Sequence, residues 1–172
     1  AISDENAPLV NLLDDDRERL TPADRTILVI EDDVTFARVM FDQVHTLGFK
    51  CLVALSGEEG IALATEHQPE AITLDLGLPG MDGWIVLDRL KHHPRTRHVP
   101  VYIISADDTA RRRGLLLGAQ AFLAKPVSSK ALRAVLGKVE GAKPVTTRRL
   151  LLVEDNPIER DAISNMLGND DL

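Results

Sequence analysis

The sequence predicts an α/β fold, in which a five-stranded parallel sheet carries helices on both of its faces. Five short apolar segments alternate with five longer segments of amphipathic pattern, and the apolar segments are nearly free of polar residues. Strands that alternate with helices form parallel sheets. Continuous apolar strands are typical of a sheet buried on both faces. The segments fill residues 26–140, which is the size of one compact domain.

The apolar segments have the length of buried strands and are bounded by turn residues. The third segment ends at Asp75 and is followed at once by a turn rich in proline and glycine. The predicted strands comprise residues 27–30, 49–55, 71–75, 101–105 and 121–124.

Residues that cap helices follow each predicted strand. Asp33 precedes a helix over residues 34–47, which ends at Gly48. Ser56 and Glu59 form a capping box for a helix that ends near His67. The remaining candidates are Asp82 before a helix over residues 83–92, Asp107 or Asp108 before a helix that ends at Leu117, and Ser128 before the last helix.

The composition limits the class of protein. The net charge of −7 argues against a nucleic acid or an anionic membrane as a direct partner. No apolar stretch reaches the roughly 18–20 residues of a membrane-spanning helix. The single cysteine, Cys51, excludes an intramolecular disulfide, and its apolar surroundings predict a buried side chain. We therefore expect a cytoplasmic protein, and leave open whether its parent protein is attached to a membrane.

The two ends of the chain lie outside the predicted domain. We interpret residues 1–25 as an acidic linker with a short helix near residues 9–20, in which the aspartates at 14–16 form a solvated charge run. Residues 141–148 are a second linker. Residues 150–156 then repeat the pattern of residues 27–33, which predicts the truncated start of a second copy over residues 149–172. Because the chain also begins without Met, we expect a fragment of a longer protein.

The ends of four predicted strands carry side chains with complementary chemistry. Glu31 and Asp32 follow the first strand, Asp75 ends the third, Ser105 ends the fourth, and Lys125 follows the fifth. The carboxyl ends of parallel strands share one edge of the sheet, so these side chains are expected to converge. Three carboxylates form an oxygen site suited to Mg²⁺ or Mn²⁺. A lysine and a hydroxyl beside them are suited to a phosphate-type anion.

These motifs resemble those of the receiver domain of two-component response regulators. The resemblance extends from Ile27 to about Val139 and implies a flavodoxin-like sheet with the strand order 2-1-3-4-5. The matching motifs are Glu31-Asp32, Asp75 with the Leu-Pro-Gly-Met-Asp-Gly of residues 78–83, Ser105-Ala106, and Lys125-Pro126 after the Gly-Ala-Gln-Ala-Phe of residues 118–122.

The resemblance implies a phosphoryl acceptor with a bound metal ion. Asp75 is expected to take a phosphoryl group from a phosphohistidine of a histidine kinase or a histidine phosphotransfer domain. Asp32, Asp75 and the carbonyl of Gly77 are expected to bind Mg²⁺, and Glu31 is expected to act through a metal-bound water. The chain itself is then a phosphoacceptor with self-catalysed transfer and dephosphorylation, which leaves open whether it counts as an enzyme.

The other matching residues are implied to hold the phosphoryl group and to report its presence. Lys125 would pair first with Asp75 and then with the phosphoryl group, and the Lys125–Pro126 bond is expected to be cis. The Ser105 hydroxyl and the Ala106 N–H would cradle phosphoryl oxygens. When Ser105 moves, Phe122 is expected to turn inward, and the surface of the fourth helix, fifth strand and fifth helix would signal to a partner.

Two residues are expected to set the lifetime of the acyl phosphate. Gly77 has no side chain to shield the site from water, and Asp107 is an acid that can orient an attacking water. We therefore expect a short to moderate lifetime.

Other interpretations of the chain remain open at this stage. An interaction module that acts without phosphorylation would have the same fold. A phosphohydrolase of the haloacid-dehalogenase type needs a second acid where Gly77 stands, and no P-loop motif occurs. The arginines at 111–113 form either a solvated face or a contact for an acidic partner. The parent protein is expected to be a hybrid histidine kinase or a multi-receiver protein, and homodimerisation is left open.

Overall fold

The computed structural model describes residues 13–140 together with Asn156 and Glu159. The chain divides into two compact units, Ala1–Val139 and Glu140–Leu172, and the fold described below belongs to the first. The predicted second copy and its linker lie outside the described residues, apart from Asn156 and Glu159. The strands are β1 (Thr26–Ile30), β2 (Lys50–Ala54), β3 (Ala71–Asp75), β4 (Val101–Ser105) and β5 (Ala121–Ala124). The α-helices are α1 (Val34–Thr46), α2 (Gly57–His67), α3 (Gly83–His92), α4 (Ala110–Leu116) and α5 (Ser129–Glu140).

The five strands form one parallel sheet in the order β2-β1-β3-β4-β5. This confirms the predicted fold class and strand order. Every residue of β1, β3 and β4 is buried, as continuous apolar strands predict. The register pairs Asp75 of β3 with Ile104 of β4, and Ser105 of β4 with Ala124 of β5. The ends of these strands therefore lie side by side at one edge of the sheet.

Helices cover both faces of the sheet and bury an aliphatic core on each. One face packs against α2, α3 and α4, through residues such as Leu63, Leu87 and Ala110. The other face packs against α1 and α5, through residues such as Met40 and Leu136. Among the described residues, no helix is long and apolar enough to cross a lipid bilayer.

The helix starts are determined by local caps. The side chains of Asp33, Ser56, Asp82 and Ser128 each accept a hydrogen bond from the first turn of the following helix, as predicted. The start of α4 differs, because Thr109 stands at its cap position and makes no side-chain cap bond. Asp107 instead accepts hydrogen bonds from the N–H and hydroxyl of Thr109. This pairing forms a turn before the helix.

The predicted solvated charge run is wrong for Asp15 and Asp16, which are 1% and 3% exposed. Both lie against β2, the edge strand of the sheet. Asp15 Oδ2 accepts a hydrogen bond from Val53 N at 2.7 Å, and Asp16 Oδ2 accepts one from Cys51 N at 2.8 Å. An edge strand presents unpaired backbone groups, and the two carboxylates bind them where a further strand would otherwise pair. We call these two aspartates and Arg17 the carboxylate clip.

Basic side chains compensate the buried carboxylates of the clip. Arg17 pairs with Asp15 at 2.8 Å and with Glu59 at 3.1 Å, and donates to the carbonyl of Val53 at 2.7 Å. His45 and Lys50 approach Asp16 at 2.6 Å and 3.6 Å. Burial alone would raise the pKa of Asp16, but the bond from Cys51 N–H and the contact with His45 outweigh it and lower the pKa. A 3₁₀ helix, Asp16–Glu18, is the helical element of the described linker residues.

Candidate functional site

Three carboxylates meet at the carboxyl edge of the sheet. Glu31 and Asp32 follow β1, and Asp75 ends the neighbouring strand β3. One oxygen from each carboxylate lies within 4.8 Å of the others. Glu31 is 2% and Asp75 8% exposed, whereas Asp32 is open to solvent. The strand ends predicted to converge therefore do so, with one side of the cluster accessible from outside.

Lys125 joins two of these carboxylates from the end of β5. Its ammonium donates to Glu31 Oε2 at 2.8 Å and to Asp75 Oδ2 at 3.0 Å. Its side chain is 22% exposed, so the ammonium lies at the border between the site and the solvent. The Lys125–Pro126 peptide bond is cis, as expected.

The crowding of charges perturbs two ionisable groups. Burial, together with the nearby charge of Asp75, raises the pKa of Glu31 to about 7, although Lys125 acts in the opposite direction. Burial would lower the pKa of Lys125, but hydrogen bonds to Glu31 and Asp75 raise it instead. The lysine is therefore held in its charged form. The charge of Asp75 still contributes to the raised pKa of Glu31 despite Lys125, so a further cation would stabilise the ionised carboxylates of the site.

The donor set fits Mg²⁺ or Mn²⁺. Hard divalent cations prefer carboxylate and carbonyl oxygens, and the oxygens of Glu31, Asp32 and Asp75 lie close enough together to share one ion. The exposed side of the cluster at Asp32 leaves room for water. The described residues at this edge thus suit a cation that keeps part of its hydration shell.

The loop after β3 leaves a space beside the largely buried carboxylate of Asp75. The N–H of Gly77 donates to Asp75 Oδ1 at 3.2 Å. A Cβ at Gly77 would lie 3.6 Å from Asp75 Oδ2, directly beside the carboxylate, and glycine leaves this space empty. The absence of a side chain at Gly83 allows the loop to lie close to the strand. A Cβ at this position would lie 2.6 Å from Leu76 Cα and 2.7 Å from the carbonyl oxygen of Asp75.

Ser105 ends β4, and Phe122 lies on the neighbouring strand β5. Ser105 is 6% exposed, and its hydroxyl accepts a hydrogen bond from Asp107 N at 3.2 Å. Ala106, the next residue, is exposed. Phe122 is 5% exposed, and the guanidinium of Arg111 lies 5.2 Å from the centre of its ring. In this structure the ring is thus already buried.

One residue near the site was missed by the sequence reasoning. Lys125 Nζ lies 4.6 Å from the centre of the Phe36 ring, so the ammonium contacts two carboxylates and an aromatic face. The N–H of Phe36 is bound by the cap residue Asp33 at 3.2 Å. An aromatic residue three positions after a cap, in the first turn of the helix that follows the acidic pair, was the signal available in the sequence.

Comparison with known families gives one clear match. A sequence model of the response regulator receiver domain matches residues 27–137. The response regulator PleD of Caulobacter vibrioides is 33% identical over 144 residues, which are 83% of this chain and 30% of PleD. The chain thus spans less than a third of this curated relative.

Solved receiver domains have the same architecture. The signal receiver domain of a DNA-binding response regulator from Colwellia psychrerythraea is 28% identical with a TM-score of 0.65, over 69% of this chain and 100% of that one. The receiver domain of a sensor histidine kinase from Pseudomonas aeruginosa is 25% identical with a TM-score of 0.64, over 70% of this chain and 100% of that one. That domain was solved with a magnesium ion coordinated in its active site cleft.

Proposed function

Since the chain belongs to the response regulator receiver domain family, we propose that it accepts a phosphoryl group on Asp75 from a phosphohistidine. Receiver domains in two-component systems interact with kinases or phosphotransfer proteins. The observation that carries the proposal is the hydrogen bond from the Lys125 ammonium to Asp75 Oδ2 at 3.0 Å, beside carboxylates that can share a cation. The donor is a histidine kinase or a histidine phosphotransfer domain.

The transfer exchanges one bond to phosphorus for another. A carboxylate oxygen of Asp75 attacks the phosphorus, the P–N bond to the histidine breaks, and the released imidazole nitrogen takes up a proton. Hydrolysis later returns Asp75 to its carboxylate and releases inorganic phosphate. The transition state spreads negative charge over the phosphoryl oxygens, so its stabilisation is mainly electrostatic.

Different residues of the site would bind the cation and the phosphoryl group. Asp32, Asp75 and the carbonyl of Gly77 would hold Mg²⁺ or Mn²⁺ directly, and Glu31 would act through a bound water. The cation supplies positive charge that offsets the carboxylates and the incoming phosphoryl group. Lys125 changes partner from Asp75 to the phosphoryl oxygens.

Ser105 and Ala106 bind the remaining phosphoryl oxygens, and the movement of Ser105 begins the conformational change. The Ser105 hydroxyl turns from its bond with Asp107 N to donate to a phosphoryl oxygen, and the N–H of Ala106 donates to another. The movement of Ser105 changes the space beside Phe122, whose inward position rests on packing because it has no hydroxyl. The surface of α4, β5 and α5 passes this change to a partner.

The lifetime of the acyl phosphate depends on access of water to Asp75. Gly77 leaves the carboxylate unshielded, and Asp107 stands exposed beyond Ser105. We expect Asp107→Ala to slow the decay severalfold, because the variant lacks the carboxylate that orients water. Loss of radiolabelled phosphate from the protein measures the rate, and an unchanged decay would remove Asp107 from the mechanism.

We propose that the receiver comprises residues 26–140, with the segment 13–25 packed against it, and that residues 149–172 begin a second receiver because they repeat its acidic motif. The parent protein is then a hybrid histidine kinase or a multi-receiver protein, and the receiver acts in the cytoplasm.

The test is incubation with Mg²⁺ and acetyl phosphate, with mass spectrometry counting phosphoryl groups. We expect one group that depends on Mg²⁺ and is lost in Asp75→Asn. Asp82→Asn is the matched control, because Asp82 lies in the same loop and its side chain caps α3. Beryllofluoride is expected to change the fluorescence of Trp84 in the wild type and not in Asp75→Asn. Absence of modification with every donor would favour an interaction module that acts without phosphorylation.

A further inference from the structure

The charges of the chain are segregated along its sequence. The protein as a whole has 27 acidic and 20 basic residues, yet no Asp or Glu occurs between Thr109 and Val139. This stretch contains α4, β5 and most of α5. Its basic residues are Arg111, Arg112, Arg113, Lys125, Lys130, Arg133 and Lys138.

The fold turns all of these cations except Lys125 toward solvent. Strand β5 is the last strand of the sheet, with α4 on one face and α5 on the other. Every Arg and Lys on α4 and α5 is exposed. None of them forms an ion pair with a side chain of residues 13–139. We call the exposed surface of α4 and α5 the basic face.

Apolar side chains lie next to these charges. Leu115, Leu116 and Leu117 are 49%, 78% and 39% exposed, and they account for half of the large exposed hydrophobic residues in the described part of the chain. Arg112 lies three and four positions before Leu115 and Leu116, so helix periodicity places the three on one side of α4. A contiguous exposed apolar group with charges beside it is typical of a surface that binds another protein.

Two of the arginines are held in place by aromatic rings. Arg111 lies 5.2 Å from the centre of the Phe122 ring, and Arg113 lies 4.3 Å from that of Trp84. Both rings contact the core on the same face of the sheet. Packing at Phe122 therefore bears directly on the position of one charge of the basic face.

We propose that the basic face docks an acidic protein segment whose apolar side chains cover Leu115 and Leu116. Complementary charge provides orientation and a fast encounter, while the leucines provide the buried apolar contact. The proposal gives the chemistry of the output partner, and in that respect it rests on the proposed function.

The charge pattern argues against two other occupants. A second copy that paired through the same face would be isologous, so the basic face of one chain would meet the basic face of the other. Without an acidic residue on α4 or β5, this contact opposes like charges. A nucleic acid would place phosphates against the exposed leucines and would approach a chain with a net charge of −7.

The test uses the full chain and a synthetic amphipathic helical peptide with glutamates on one face and leucines on the other. An otherwise identical peptide with glutamine in place of glutamate is the control ligand. We expect the glutamate peptide to bind at least about tenfold more tightly than the glutamine peptide. Its affinity should fall as the salt concentration increases. Isothermal titration calorimetry without any phosphodonor measures both affinities.

Variants of the chain locate the contact. Combined R112E and R133E, and separately Leu116→Ser, are expected to weaken binding of the glutamate peptide about tenfold or more. The matched control is R95E with R97E, two exposed arginines outside the basic face, and it should bind like the wild type. Equal loss in both charge-reversal variants, or unchanged binding in all three, would overturn the proposal.

Other outcomes separate this proposal from the proposed function. Sedimentation that shows a dimer lost in R112E/R133E, or duplex DNA that binds the basic face more tightly than the peptide, would also overturn it. Beryllofluoride with Mg²⁺ is added last. A peptide affinity that changes in the wild type and not in Asp75→Asn supports the coupling, whereas no change contradicts the proposed switch and leaves the docking surface supported.

Discussion

At the scale of single residues, Lys125 connects the groups of the site. Its ammonium hydrogen-bonds Glu31 and Asp75 and contacts the face of Phe36. Each contact restricts a flexible side chain that would otherwise sample many rotamers. A lysine that must exchange a carboxylate for a phosphoryl oxygen needs to stay near both. The aromatic face keeps it there without competing as a hydrogen-bond acceptor.

Phe36→Leu is therefore expected to slow phosphorylation by acetyl phosphate about two- to fivefold, since a partly exposed cation–π contact contributes ~0.5–1 kcal/mol. Phe36→Tyr retains the aromatic face and should keep a rate close to that of the wild type. The initial rate of phosphoryl incorporation, followed at saturating Mg²⁺, measures the effect. Thermal unfolding of both variants serves as the control for folding. Equal slowing in the two variants would contradict a role for the ring.

At the scale of elements, the carboxylate clip and Gly83 each keep a loop segment close to a strand of the sheet. The clip places Asp15 and Asp16 on the backbone of β2, where a neighbouring strand would otherwise pair. Unprotected edge strands are prone to pair with other chains. The clip therefore stabilises the edge and fixes where the chain enters the sheet.

Asp16→Ala is expected to lower the free energy of unfolding by about 1–3 kcal/mol, because the buried N–H of Cys51 loses its acceptor. Asp14→Asn is the control, with an expected change within ~0.5 kcal/mol. The Asp14 side chain is 86% exposed, and asparagine tolerates the positive φ of 49° at this position. Urea unfolding measures both variants, and equal losses would contradict the importance of the clip.

The pH dependence of unfolding provides a second measurement on the same variant. The folded pKa of Asp16 lies below its ordinary value of 3.8. Its ionised form therefore adds stability that is fully present above the unfolded pKa and is lost as the pH falls through the folded pKa. Asp16→Ala should lose less stability than the wild type on acidification below about pH 4. Parallel acid profiles would contradict this assignment.

Gly83→Ala is expected to destabilise the protein by about 1–3 kcal/mol through steric overlap with backbone atoms. The new Cβ would lie 2.6 Å from Leu76 Cα and 2.7 Å from the carbonyl oxygen of Asp75, so phosphorylation should slow as well. Gly137→Ala is the matched control in α5, where nothing lies within 4 Å. It should stabilise the protein by ~0.5–1 kcal/mol. Urea unfolding that shows the same sign for both would refute the account of close packing at Gly83.

At the scale of the whole molecule, the folded unit is larger than the family motif. The family model begins at residue 27, but Leu13 is 5% exposed and packs in the core on the α1 side of the sheet. Arg38 donates to the carbonyl of Leu13 at 3.1 Å. The segment before β1 is thus part of the packing of the domain.

A chain that begins at Thr26 is therefore expected to lose at least ~3 kcal/mol of unfolding free energy, through the lost burial of Leu13 and the lost bonds of the clip. A chain that begins at Leu13 is the control and should retain most of the stability. Denaturant unfolding of the two shortened chains and the full chain measures the difference. Equal stability of all three would show that the segment contributes nothing.

Local signals in the amino-acid sequence were enough to predict the strands, the helices and the convergence of the strand ends. Strands of apolar residues and capped helices are encoded within a few positions, and the ends at Asp75 and Ser105 agree with the structure because such signals are local. The convergence of Glu31, Asp75 and Lys125 was also predictable, because the ends of parallel strands share one edge. The topology of the sheet brings these residues together, and their convergence does not depend on how the core side chains pack.

Contacts between residues that are distant in the sequence became visible only in the folded structure. Asp16 and Cys51 are 35 positions apart, and nothing near Asp16 in the sequence indicates that it binds an edge strand. The same holds for Phe36 beside Lys125 and for Arg111 over Phe122. Buried charges, stacked rings and the segregation of α4 and α5 at the end of the sheet arise from topology, which brings together groups that local patterns leave independent.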